Sequence, residues 1–156
     1  MKILLLIPET KKQAWLEDFI QEYQKKIKPY CEYEKKSIKP GNKGREEASL
    51  RKKEEAKSFL NEIKSDDYVI ALDEKGSSFT SVEFASKLQK IKDQSPKRIV
   101  FVMGGPYGLS EEILERAQMK VSLSKMTMNH LVVQVFFLEQ LYRAFTIMNR
   151  IPYHNE

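Results

Sequence analysis

The stretch Ile99-Val100-Phe101-Val102-Met103-Gly104-Gly105-Pro106-Tyr107-Gly108-Leu109-Ser110 carries the reading of the fold. Its first five residues are all apolar and end at glycine, the pattern of a strand buried on both faces of a parallel sheet. Gly104 and Gly105 then let the backbone turn with no side chain in the way. Ser110 stands where a helix N-cap belongs, and Glu111 and Glu112 fall in the first turn, where the helix dipole favours negative charge. The same acidity argues against a phosphate at that helix end. The glycine spacing is not Gly-x-Gly-x-x-Gly and no Gly-Lys-Ser/Thr follows, so the loop is neither a dinucleotide fingerprint nor a P-loop. Taken alone, the doublet reads as an ordinary strand-to-helix turn.

A second strand end follows. Residues 119–123 read as a strand and Leu123-Ser124-Lys125-Met126-Thr127-Met128 as the loop beyond it, so two consecutive strand ends can shape one ligand pocket at the carboxyl edge of a sheet. Upstream, residues 2–7 read as a first strand, residues 12–26 as an amphipathic helix with Trp15, Phe19 and Tyr23 in the core, and residues 31–37 as an alternating strand. A helix over residues 46–64 buries Ala56, Phe59, Leu60 and Ile63, and a strand follows over residues 68–72. Thr80 and Glu83 have capping-box spacing for a helix through Ile91, and a long helix over residues 129–149 closes the chain. Strand and helix alternate throughout, which predicts a single α/β domain over residues 1–156, its parallel-type sheet covered by helices on both faces. In the last helix, Leu131, Val132, Val133, Val135, Phe136, Phe137 and Leu138 cover more than one face, which favours a homodimer.

With 156 residues, 41% of them hydrophobic and 31% charged, the chain has the composition of one globular domain. The expectation is a protein with no membrane span, no metal and a cytoplasmic home, and with the lone Cys31 as a small buried residue. Net charge is +5 and unevenly placed: residues 1–64 carry 16 Lys and Arg against 11 Asp and Glu, while the remainder balances at 11 of each. Lys35, Lys36, Lys39, Lys43 and Arg45 fall in one acid-free run loosened by Pro40, Gly41 and Gly44, which suits contact with an RNA phosphate backbone or a solvated loop equally.

The wording of the loops goes further than their spacing. Gly104-Gly105-x-x-Gly108-Leu109, Leu123-Ser124-x-Met126-Thr127, His130, Tyr142-Arg143-Ala144 and Pro152-Tyr153-His154 together resemble the RlmH family of SPOUT-class RNA methyltransferases, and the likeness spans nearly the whole chain. It implies S-adenosylmethionine as cofactor, a pseudouridine of large-subunit ribosomal RNA methylated at N3 on the ribosome, and a carboxyl-terminal trefoil knot. It assigns cofactor contacts to Leu72, Gly104, and Leu123, Ser124, Lys125, Met126, Thr127 and Met128, and the bare backbone of Gly105 beside Gly104 adds a further candidate contact by allowing close approach. Arg143, Tyr153 and His154 match positions linked to catalysis or substrate binding. The target nitrogen must lose a proton as the methyl arrives, so a base or a cation beside the developing anion is expected. Of these residues, Arg143 is the candidate to hold the anionic base or a phosphate, Tyr153 to stack, and His154 to accept the proton or orient the nucleotide. Two residues depart from the family's wording: Asn129 replaces a common proline, and Gln134 a common arginine. The competing reading is a non-catalytic, basic RNA- or ribosome-binding module.

Overall fold

The computed structural model describes residues 1–39 and 48–155. Lys43 and Arg45, two of the expected phosphate contacts, lie outside that range. In chain order the elements are β1 (Lys2–Pro8), α1 (Ala14–Ile27), β2 (Glu32–Ile38), α2 (Ala48–Glu62), β3 (Tyr68–Ser78), α3 (Ser81–Asp93), β4 (Ile99–Met103), α4 (Glu111–Arg116), β5 (Met119–Ser122) and α5 (His130–Met148). All five strands run parallel in one sheet, in the order β2-β1-β4-β3-β5.

Alternation along each strand divides the core in two. Ile3, Leu5, Ile70, Leu72, Phe101 and Met103 face α1, α3 and α5, while Leu4, Leu6, Val69, Ala71, Val100 and Val102 face α2 and α4. Both faces of the central strands are therefore apolar, as the unbroken hydrophobic run of β4 required. Phe101 of β4 meets Phe137 of α5 with ring centres 4.8 Å apart, which fixes α5 across the middle of the sheet. At the amino edge, Arg98 grips Asp67 in a two-pronged ion pair, Nε to Oδ1 at 3.0 Å and Nη2 to Oδ2 at 2.6 Å. The Lys64 amide donates to the same carboxylate at 2.7 Å, so the buried charge is well supplied with donors.

Three expectations need correction. The strand expected over residues 68–72 runs on to Ser78, because Leu72 and Ser77 both stand opposite Val121 and the residues between them loop out. Trp15 is 51% exposed, because the stripe of α1 that meets the sheet is Leu16, Ile20 and Ile27, one position round the helix. Phe19 and Tyr23 do pack against the core, stacked at 4.3 Å. Finally, α5 is long and apolar enough to cross a membrane, with 19 residues and a mean hydropathy of 1.3. Its buried stripe of Gln134, Phe137, Leu138, Leu141 and Phe145 lies against the sheet, and Val132 is left 45% exposed.

Candidate active site

Register gathers the expected cofactor residues at one edge. Leu72 is paired with Met103 on one side and Val121 on the other, so the chain emerging at Gly104 and the chain emerging at Leu123 flank it. Beyond β4 the loop folds onto itself: the Gly108 amide donates to the Gly105 carbonyl at 3.0 Å, and Gly108 has φ of 77°, where an L side chain is strained. A Cβ at Gly104 would lie 2.7 Å from the carbonyl carbon of Gly108. Glycine is thus required at position 104 by the loop's own closure, in addition to any ligand. A Cβ at Gly105 would touch only the Glu55 carboxylate at 3.5 Å and Pro8 at 3.6 Å. Glu55 reaches the loop from α2 and accepts from the Gly105 amide at 3.4 Å. Burial pushes the Glu55 carboxyl above its usual range, and the Gly105 amide and Lys52 pull it back.

Beside this loop lies a cleft of about 250 Å³, walled by Ile7 and Pro8 at the end of β1, by Gly104 and Gly105, and by His130 and Gln134 in the first two turns of α5. The loop after β5 reaches the same edge without entering that cleft. Leu123 lines a smaller pocket of about 90 Å³ against Phe84 of α3 and Phe136 of α5. The Ser124 hydroxyl accepts from the Met126 amide at 2.9 Å and the Ser122 hydroxyl donates to the Ser124 carbonyl at 3.0 Å, which fixes the turn. Met126 points outward, 79% exposed, Lys125 and Thr127 are exposed and Met128 is half-buried. Asn129 does not loosen this loop: its side chain accepts from the Leu131 amide at 2.8 Å and caps α5, a role proline cannot fill. The apolar surroundings of Leu123 and the close backbone at Gly104 suit an adenosyl cofactor at this strand edge.

The three candidate catalytic residues meet at the far end of α5. Arg143 binds Glu139 through Nη2 at 2.5 Å and Nε at 3.3 Å, and its Nη1 lies 3.2 Å from Nδ1 of His154. Tyr153 donates its hydroxyl to Glu139 at 3.0 Å, with the Arg143 guanidinium 4.8 Å from its ring centre. Glu139, the hub of this cluster, was invisible in sequence because an i, i+4 acid–base pair on a helix is commonplace. The tail is brought back by the end of the helix. Asn149 caps α5, Arg150 takes φ of 57°, the Arg150 amide donates to Ile147 at 3.2 Å and the Ile151 amide to Thr146 at 2.9 Å, a Schellman closure. Tyr153 and His154 are consequently docked rather than frayed.

The chemistry of the cluster follows from its donors. Guanidinium has only N–H groups, so Nδ1 of His154 must be the acceptor in their contact, and the ring proton sits on Nε2. His154 therefore presents a donor to a ligand, which counts against the expectation that it takes up a proton. Partial burial, followed by Tyr23 and the Glu139 carboxylate, pushes the Tyr153 phenol up, so it stays protonated. The hydrogen bond that Arg143 donates to Glu139 raises the guanidinium further and keeps it cationic. Arg143, whose remaining N–H groups are not taken by Glu139, and the imidazole Nε2–H of His154 are the donors left to face a ligand's negative charge, since the Tyr153 hydroxyl proton is already given to Glu139.

Residues 1–154 match the family model described as predicted SPOUT methyltransferase. The chain belongs to the SPOUT methyltransferase family. Curated relatives share its full length: a protein of Bdellovibrio bacteriovorus is 43% identical over 99% of both chains, and one of Parabacteroides distasonis is 40% identical over 100% of both. Each is named Ribosomal RNA large subunit methyltransferase H. The fold is also similar to a probable methylase family protein from Haemophilus influenzae Rd KW20, with a TM-score of 0.58 and 16% identity over 99% of this chain and 70% of that one. In this SPOUT protein the basic run is represented by Lys35, which is half-buried, Lys36, which pairs with Glu62 at 2.6 Å, and Lys39, which is exposed. Among the described residues, no group of three or more His, Cys, Asp or Glu is placed to hold a metal ion.

Proposed function

We propose that this SPOUT protein is an S-adenosylmethionine-dependent methyltransferase of large-subunit ribosomal RNA, acting on N3 of a pseudouridine in the assembled ribosome of the cytoplasm. The observation that carries the reading is the end-to-end match to relatives bearing the ribosomal RNA methyltransferase name. The trefoil knot of the fold is inferred with it. Leu72, Gly104 and the 123–128 loop hold the cofactor, which when bound supplies an electrophilic methyl group. Lys35, Lys39, Lys43 and Arg45 lie along the RNA backbone, and Lys36 joins them by releasing Glu62.

Two copies are needed for one site. His130, which lines the cleft, and Arg143 are 13 positions apart on one continuous helix, roughly 20 Å at the usual helical rise. The charge pocket of one chain thus lies far from its own glycine loop. A twofold dimer through the exposed apolar side of α5 brings it to the partner's loop. There Arg143 and the Nε2 hydrogen of His154 stabilise the anion that N3 becomes, Tyr153 stacks on the base, and the proton leaves to water. The test is methylation of ribosomes lacking the modification, followed by mass spectrometry of the nucleosides. The reading requires 3-methylpseudouridine in large-subunit RNA; methyl groups on any other nucleoside would refute it.

A further inference from the structure

Gln134 is 2% exposed, lines the cleft beside Gly104 and Gly105, and keeps its side-chain oxygen Oε1 without a hydrogen-bond partner among the described residues. Its amide nitrogen is occupied, donating to the His130 carbonyl one turn back at 3.4 Å, and this turns the oxygen into the amide's open atom. A buried acceptor left unmatched is costly, and the cleft is the space from which a donor can reach it. Gln134 thus presents an acceptor to the cleft, and an amide oxygen can be matched only by a donor.

The rest of the cleft describes the donor's carrier. Ile7, Pro8, Met103 and Pro106 give apolar walls, and the volume of about 250 Å³ suits one flat heterocycle. The cleft adjoins the glycine loop, so a ring held in it lies next to the cofactor edge. On the reading that the acceptor base is a pseudouridine, two N–H groups are available. The one at N3 has to be free to take the methyl group and lose its proton. The one at N1 is not consumed, and uridine has a C–H in its place.

We infer that the cleft is the subsite of the target base and that Gln134 Oε1 accepts the N1–H of pseudouridine, so that Gln134 determines selectivity against uridine. This rests on the proposed methyl transfer to N3. A neutral amide oxygen is far too weak a base to remove the N3 proton, so its role is recognition alone. A site built to bond an N–H rejects the analogue lacking it because its own polar atom is stranded.

The experiment compares ribosomes carrying pseudouridine with ribosomes carrying uridine at the target position, for the wild type and for Gln134→Met, which keeps size and removes the acceptor. Wild type should favour pseudouridine in kcat/KM by about tenfold or more. Gln134→Met should bring the two substrates to within about twofold of each other, while its affinity for S-adenosylhomocysteine by calorimetry stays at the wild-type value. A Gln134→Met protein that binds S-adenosylhomocysteine normally and keeps the full preference overturns the inference. Should that variant fail to fold, subunits reconstituted with N1-methylpseudouridine decide the matter on wild type alone: they should be as poor as uridine, and methylation at the pseudouridine rate overturns the inference. Wild type that methylates uridine and pseudouridine equally overturns it too, with the methyltransferase reading intact. Wild type that methylates neither removes that reading, and the inference falls with it.

Discussion

Arg143 and His154 meet at 3.2 Å across the turn that ends α5, with Arg143 necessarily the donor. The contact leaves the Nε2 hydrogen of His154 free to donate, and the ring is held there by the Schellman closure at Arg150. Deleting residues 152–156 should leave cofactor affinity and thermal stability near wild type, since little core is removed, and should lower single-turnover methylation by about 100-fold or more. Arg143→Ala should lower the rate similarly. On the proposal that water rather than His154 removes the proton, His154→Asn should retain the wild-type slope of rate against pH between pH 6 and 8. A slope that disappears in the variant would restore His154 as the base.

The two adjacent glycines should respond differently. Gly104→Ala forces its Cβ against the Gly108 carbonyl at 2.7 Å, whereas Gly105→Ala meets only Glu55 and Pro8 at ordinary contact distance. Calorimetry with S-adenosylmethionine should show a loss of affinity of about tenfold or more for Gly104→Ala and less than about twofold for Gly105→Ala. Equal losses would mean that ligand approach, rather than loop closure, sets both positions.

Asp67 is buried with Arg98 across it, at the sheet edge opposite the glycine loop. Asp67→Ala should cost about 3 kcal/mol in chemical unfolding, because a guanidinium and the Lys64 amide lose their acceptor. Combining it with Arg98→Met should recover part of the loss. Cofactor affinity should not change in either protein, and a double variant less stable than the sum of the two singles would contradict the pairing.

Burial pushes the Cys31 thiol up to about 12 from its usual 9.0. A folded value above the unfolded one stabilises the protein fully below pH 9 and loses that contribution as pH rises toward 12. Between pH 8 and 10 the wild type should therefore lose about 1 kcal/mol more stability than Cys31→Ala, other titrations being common to both. Equal losses in urea melts at the two pH values would mean that Cys31 is solvated.

Most of the fold was legible because parallel strands announce themselves as apolar runs. The capping residues Ser110 and the pair Thr80 and Glu83 mark helix starts that the structure reproduces. What stayed hidden depends on tertiary register. The extension of β3 has no periodic signal, since it continues past a looped-out segment and relies on Gly76, whose Cβ would sit 2.7 Å from the Lys120 backbone. Gln134 read as a polar interruption in an apolar run, yet it is buried while Val132 is exposed, because the angle at which α5 meets the sheet chooses the face. The glycine loop and the tail were found by wording, but the distance between them along α5 could only be seen once the helix was placed.

The central claim is that one chain's glycine loop works with the other chain's Arg143, Tyr153 and His154. It is tested most directly by mixing two variants, Gly104→Val and a protein lacking residues 152–156, each inactive alone, and measuring methyl transfer to ribosomes after the dimers exchange. Half of the dimers in an equal mixture are mixed, and each has one of its two sites whole, so activity should return to about a quarter of wild type. Activity that stays at the level of the separate variants would show that loop and tail of the same chain must both be intact, and would contradict the shared site.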